Sequence, residues 1–292
     1  MNFLLKSPTN NTPIPTQRSI LRKKLWYEWK QSPRPRPKTK ELKETFAFVS
    51  RTERLLKHKK LIIDAAGGHG ALGMAFKLHQ NNIEKIIIGD LHCPESFATL
   101  KRAWFPLESS TSATNNKEKK TSSTFIEHPN PTSFIEHRKI DLRDRGWLIK
   151  LLKSENIDPT ECGVVGCHVC NALSDELIDE CLNAKVEFCI MGCCHGSTSK
   201  QGKAIKQSAK ELGVSLGMLV DTARFGIIAQ REGYIAKIRT IDESITPENR
   251  ILIGLYDDGD SAAHTKIALD KVAVVYDRVF SSTDEKRLTL KD

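Results

Sequence analysis

No apolar run in the 292 residues is long enough to cross a bilayer, and the first residues hold no compact apolar segment of the signal-peptide kind. Neither insertion into a membrane nor secretion is expected. A secreted disulfide framework is also missing: of eight cysteines, seven fall between Cys162 and Cys194. Reduced thiols in a cytoplasm, nucleus or organelle stroma are the expectation. Acid is scarce at one end, where Glu28 is the single acidic residue among the first 40. What is present suffices for a core, with 39% apolar residues and length for one large domain or two small ones.

The net charge of +9 is unevenly spread. Residues 1–60 hold 16 Lys/Arg against four Glu, a balance of +12, and the remainder is −3. Residues 1–40 are expected to form a basic, mostly irregular arm broken by Pro33, Pro35 and Pro37. Three readings of it stand open. Lys and Arg beside phosphates release counterions, which suits RNA or another acidic partner. Few acids with Ser, Thr and Arg also suit an organelle transit segment. A solvated tail is the third. Nothing points to DNA. Trp26 and Trp29 suit either stacking on bases or packing onto the domain.

From Glu41 the segment ELKETFAFVSRTERLLKHK reads as an amphipathic helix with Phe46, Val49 and Leu56 inward. Beyond Lys60, strands and helices alternate. LIIDA, KIIIGD, KIDLRD, GVVGCHV and VEFCIMG read as five strands. GALGMAFKLHQNN, ESFATLKRAW, WLIKLLKSEN, SDELIDECLNA and KAIKQSAKELG read as the helices between or after them. YIAKIRTI and NRILIGLY form a plausible antiparallel pair. The expected fold is α/β over residues 41–292: a Rossmann-like, doubly wound, mostly parallel seven-stranded sheet with an antiparallel C-terminal pair. Residues 107–133, with ESSTSATNNKEKKTSST, read as a low-complexity surface insertion, and a near-duplication follows that stretch, FIEHPNPTS then FIEHR.

Gly68, Gly70 and Gly73 fit G-x-G-x-x-G between a strand and a helix. Such a turn lets backbone approach a ligand and suits several cofactors. Three acids separate the cases. Asp64 ends the strand before the glycines, where it would face a pyrophosphate unfavourably but accept from a cationic amino group. Asp90 ends KIIIGD and suits a ribose diol. Asp141 in KIDLRD is placed to meet an adenine amino group. Together they fit S-adenosylmethionine better than NAD(P), whereas each acid alone could be a cap or turn residue. Asp64, Ala66, Gly68, Gly70, Asp90, Asp141 and, after the fourth strand, Cys167 form the expected donor wall.

With these segments in order, the chain resembles the class I S-adenosylmethionine-dependent methyltransferases. DAAGGHGALG, IIIGD and KIDLRD resemble their first three motifs. GCHVCNALSDELID with CIMGCCHG is similar to a eukaryotic branch with G-C-H-x-C-x-x-L-(S/T)-D and P-C-C-H segments. That branch includes tRNA 2′-O-ribose methyltransferases and the methyltransferase domain of the glutathione S-transferase C-terminal-domain-containing protein. ESITPENRILIG resembles its closing strand pair. Gly192 stands where that branch carries proline, and no Cys/His finger spacing occurs before residue 60. The resemblance implies methyl transfer to RNA; a small metabolite or protein side chain, or a non-catalytic binding module, are the alternatives.

Two Cys/His clusters follow strands four and five: Cys167, His168 and Cys170, then Cys193, Cys194 and His195. Ligands bind beyond the carboxyl ends of such strands, so the clusters should converge. As a catalytic wall, His168 or His195 would serve as general base and Asn171 would orient a base or hydroxyl. As a zinc site, Cys167, Cys170, Cys194 and His195 supply enough ligands. As packing, free thiols behave as small hydrophobes, a reading that suits Cys162, Cys181 and Cys189 best. His69 reads as a backbone-contact position, Asp175 as a helix cap with Ser174, and Arg224 as an exposed residue able to reach a substrate phosphate.

Overall fold

The computed structural model describes residues 17–105, 134–192, 195 and 202–257. The expected insertion at 107–133 therefore lies outside the described residues, as do Cys193 and Cys194.

Seven strands form one sheet in the order β3-β2-β1-β4-β5-β7-β6. They are β1 (Leu61–Ala65), β2 (Lys85–Asp90), β3 (Ile135–Lys139), β4 (Cys162–Cys167), β5 (Glu187–Met191), β6 (Tyr234–Thr240) and β7 (Arg250–Tyr256). Strands β1 to β5 are parallel, while β7 runs antiparallel to both β5 and β6. The strand order reverses direction between β1 and β4, which opens a crevice at their carboxyl ends.

Alternate residues feed two cores. Ile62, Ile86, Ile88 and Val165 pack on one face under α1 (Gln17–Gln31), α2 (Thr39–Thr52), α3 (Ala71–His79) and α4 (Glu95–Trp104). Leu61, Ile63, Ile87 and Val164 pack on the other under α5 (Trp147–Glu155), α6 (Ala172–Ala184) and α8 (Leu216–Ala229). Helix α7 (Gly202–Leu212) packs on α8. Phe46, Val49 and Leu56 are buried, as the periodicity predicts. Cys162, Cys181 and Cys189 are also buried, and burial pushes each thiol far up, so they are inert packing residues.

Three expectations are corrected. The arm is not irregular between 17 and 31, because α1 packs on α4: Leu25 and Trp29 enter the core, and Trp104 Nε1 donates to the Leu25 carbonyl at 3.1 Å. Burying Leu25 alone contributes about 1.5–3 kcal/mol. Trp29 is thus a packing residue, with its Nε1 donating to Pro37 O at 3.1 Å. The third strand lies in FIEHRK rather than KIDLRD: Ile86 pairs with Ile135 and Asp90 with Lys139. As an edge strand it buries only Ile135, so Glu136, His137 and Arg138 are tolerated there. Helix α8 has no counterpart among the expected elements.

Candidate functional site

The glycine turn joins β1 to α3 at the crevice. Gly67 has no room for a side chain: a Cβ would stand 2.7 Å from Asp64 Cγ and 2.8 Å from Asp64 O. Gly70 begins α3 with φ +74. Two turn amides are spoken for by acids. Gly68 N donates to Asp90 Oδ2 at 3.0 Å, and Gly73 N donates to Asp64 Oδ2 at 2.9 Å. A turn whose N–H groups already face carboxylates is poorly suited to a pyrophosphate and well suited to a cationic ligand. Asp64 is 1% exposed, and burial pushes its carboxyl up to about 7; Asp90 adds to the rise, and the Gly73 amide opposes it.

Beside the turn lies a cavity of about 290 Å³ lined by Ala66, Asp90, Ile140, Asp141, Leu142 and Leu173 among others. Two acids, Asp90 and Asp141, thus share one cavity with apolar side chains. Asp141 stands two residues past β3. Arg143 holds it by Nε at 2.9 Å and by a second guanidinium nitrogen at 3.0 Å, which keeps the carboxyl below its ordinary range. Cys167, at the end of β4, is half-buried and packs against the α1–α4 core.

Three non-glycine residues at these strand ends have left-handed backbones: Ala66 (φ 55), His168 (φ 68) and Asn171 (φ 55). Strain of this kind persists where the surroundings over-determine it, commonly at ligand sites. His168 N donates to Met191 O at 2.9 Å, which ties the β4 turn to β5. Its ring meets a residue no motif identifies: His168 Nε2 lies 2.8 Å from Glu44 Oε2. Glu44 is on α2, fully buried at 0% exposure. Burial pushes this carboxyl up, but the close approach and charge of His168, with Lys40 and Thr246, outweigh it and hold Glu44 below its ordinary value. One turn earlier, Glu41 Oε2 lies 3.8 Å from His69 Nε2. Burial pushes His69 down, with Glu41 opposing and His168 adding to the fall. So α2 closes over the glycine turn and the β4 turn with two acids. A helical Glu ordinarily reads as solvent-facing, and the weak signal for Glu44 is its place between Leu42 and Phe46 of the inward stripe.

His195 belongs to a different network. It is 3% exposed, with Nε2 at 2.9 Å from Asp221 Oδ1 and Nδ1 at 3.5 Å from Glu248 Oε2. Both ring nitrogens face carboxylates, so the geometry suits an anchor better than a base. Arg224 is corrected outright: it is 1% exposed, its Nε donates to Asp175 Oδ1 at 2.7 Å, and another nitrogen donates to Asn171 O at 2.8 Å. It reaches no solvent phosphate, and Asp175 is its partner rather than a cap; the residue at the α6 N-terminus is Asn171. Ser174 Oγ turns back to Val169 O.

The zinc candidates divide. Cys170 Sγ donates to His168 O at 3.1 Å, Cys194 lies outside the described residues, and His195 faces acids. Among the described residues, His195, Asp221 and Glu248 are the group with metal-ligand geometry. Arg250 Nε bonds Asp221 at 2.8 Å, Arg250 also bonds Glu248 at 2.5 Å, and Arg224 lies 3.5 Å from Asp221. These guanidinium groups already supply the positive charge a cation would bring.

A family model described as a methyltransferase domain matches residues 37–201. No curated protein sequence matches. Among solved structures, a putative O-methyltransferase from Klebsiella pneumoniae is similar at 7% identity and TM-score 0.43, over 84% of this chain and 92% of that one. A Podospora anserina methyltransferase is similar at 8% identity and TM-score 0.42, over 88% and 100%. An O-methyltransferase family protein from Burkholderia thailandensis is similar at 14% identity and TM-score 0.40, over 76% of this chain; the chain spans 60% of that protein's length. The family match, over more than half of the residues, makes this chain a member of that methyltransferase-domain family, an S-adenosylmethionine-dependent enzyme on a Rossmann-like sheet.

Proposed function

We propose that this S-adenosylmethionine-dependent methyltransferase acts on RNA, with a ribose hydroxyl as acceptor. The observation that carries the reading is where the basic surface lies. Lys24 and Lys30 of α1, Arg34 in the connector, and Lys38 and Lys40 at the start of α2 are exposed. The same helix delivers Glu41 and Glu44 to His69 and His168. A phosphate backbone following these residues would be led to the crevice holding the donor cavity. The similarity of GCHVCNALSDELID and CIMGCCHG to tRNA 2′-O-ribose methyltransferases supports the same acceptor.

Deleting residues 1–40 is a poor test, because Leu25 and Trp29 belong to the core. Charge reversal is cleaner. In Lys30→Glu/Arg34→Glu/Lys38→Glu, RNA affinity should drop and the slope of log K against log salt should shrink by about two, at ~0.7 per phosphate contact. Affinity for S-adenosylmethionine should stay unchanged. Labelled donor incubated with cell RNA, protein and metabolites should mark RNA; label confined to either of the other fractions would overturn the acceptor.

A further inference from the structure

We infer that Glu44 is the positioning residue of a proton-accepting pair with His168, an inference that rests on the hydroxyl acceptor proposed above. The carboxylate is fully buried, and such a group is costly unless a cation or donor compensates it. Its compensating partner stands just past the carboxyl end of β4, where the crevice opens. His168 has φ 68 on the turn after β4, and its side chain is 35% exposed. Nε2 is the nitrogen that faces Glu44, 2.8 Å from Oε2 in a close ion-pair contact without hydrogen-bond geometry. His195 differs, with both nitrogens facing acids. The other charges around the pair are Lys40, 3.7 Å from Glu44 Oε1, and the His69–Glu41 contact at the glycine turn; Thr246 lies beside Glu44.

This is the geometry of a base oriented by an acid. Bound S-adenosylmethionine supplies the methyl group: its C–S bond breaks as the acceptor O–C bond forms, and sulfur keeps the electron pair. The hydroxyl proton passes to His168 Nδ1. Glu44 holds the ring through Nε2 and stabilises the imidazolium that results. The competing view is that the pair merely fastens α2 to the sheet.

Two measurements on full-length Glu44→Gln separate the two views. With whichever acceptor fraction takes label, kcat should fall about 10²-fold while donor affinity by calorimetry changes less than about threefold. In the donor-free protein, the ¹⁵N resonance of His168 Nε2 should shift. Glu44→Asp should recover part of kcat. A wild-type rate would leave only a fastening role, and parallel loss of donor affinity would assign Glu44 to donor binding; either overturns the pair. Should Glu44→Gln not fold, His168→Gly suits the left-handed backbone and should regain at least about tenfold in kcat with added imidazole, whereas no rescue overturns the inference. Label in RNA with no effect of Glu44→Gln sinks the pair alone. Label outside RNA with the full Glu44 effect sinks the RNA acceptor alone.

Discussion

Arg224→Met is expected to lower the folding free energy by about 3–5 kcal/mol, the loss found when one member of a buried ion network is removed. Its side chain projects from α8 into the interior at 1% exposure, with Asp175, Asp221 and the Asn171 carbonyl around it. Methionine fills similar volume but donates nothing, so Asp175 loses its guanidinium and the Asn171 carbonyl loses a donor. Asp221 is cushioned, since His195 and Arg250 remain on it. The weak point is therefore the turn between β4 and α6, where Asn171 already has a strained φ of 55. At about 2–4 °C per kcal/mol for chains of this size, the melting midpoint should drop by roughly 6–20 °C. Adding Asp175→Asn to Arg224→Met should restore part of that drop, because it removes a charge that has lost its guanidinium; strictly additive losses would mean the two side chains are not energetically coupled. Donor affinity should fall less than stability, since Asp90 and Asp141 lie on and beyond β2 and β3 and Leu173 is the one lining residue beside that turn.

How far the residues announce this arrangement depends on where their compensation lies. Five strands are legible because β1, β2, β4, β5 and β7 are apolar runs bounded by turns, as strands covered on both faces must be, and edge strand β6 is legible as the β-rich run YIAKIRT just before β7. β3 escapes because an edge strand can be polar, and IEHRK buries one side chain. Helix α8 escapes because LGMLVDTARFGIIA has no clean polar face: its charged residues Asp221 and Arg224 point inward. Helix α1 shows little periodicity, since its fixed points are Leu25 and Trp29 in an otherwise basic stretch. Asp64, Asp90 and Asp141 are legible as strand-end acids because they recur at the spacing of the strands, and the fold brings Asp90 and Asp141 to one cavity. The partner of His168 is not. Glu44 lies 124 positions earlier on a helix that could be mistaken for a mere cover, and only the fold brings the two within 2.8 Å.

Asp64→Asn should have opposite effects on stability and on donor binding, and the sign of each follows from burial. The Asp64 carboxyl is raised to about 7 in the folded protein, chiefly by desolvation, whereas an unfolded Asp titrates near 3.9. Between roughly pH 4 and pH 7 the folded state therefore binds more protons than the unfolded state, and stability falls as pH rises through that window. Above about pH 7 the loss is complete and flat. A rise of that size corresponds to about 4 kcal/mol, an upper figure for a single buried group. Asparagine keeps an oxygen for the Gly73 amide and never ionises. The donor-free variant should thus be more stable than wild type by about 2–4 kcal/mol at pH 8, with the advantage shrinking toward pH 4. A thermal melting series from about pH 4 to pH 8 reads this directly, and equal midpoints at the upper end would show that burial of the Asp64 charge costs nothing. The cationic donor reverses the balance. It favours the ionised carboxylate, so wild-type binding should weaken by up to about tenfold per pH unit below about 7, with proton release visible as a buffer-dependent binding enthalpy. Asp64→Asn should bind the donor at least about tenfold more weakly at pH 8 and lose that pH dependence. A variant that is stabler yet binds with wild-type affinity and slope would separate the two roles and remove Asp64 from the donor wall. Tighter folding with poorer binding is the signature of a charge kept buried for its ligand.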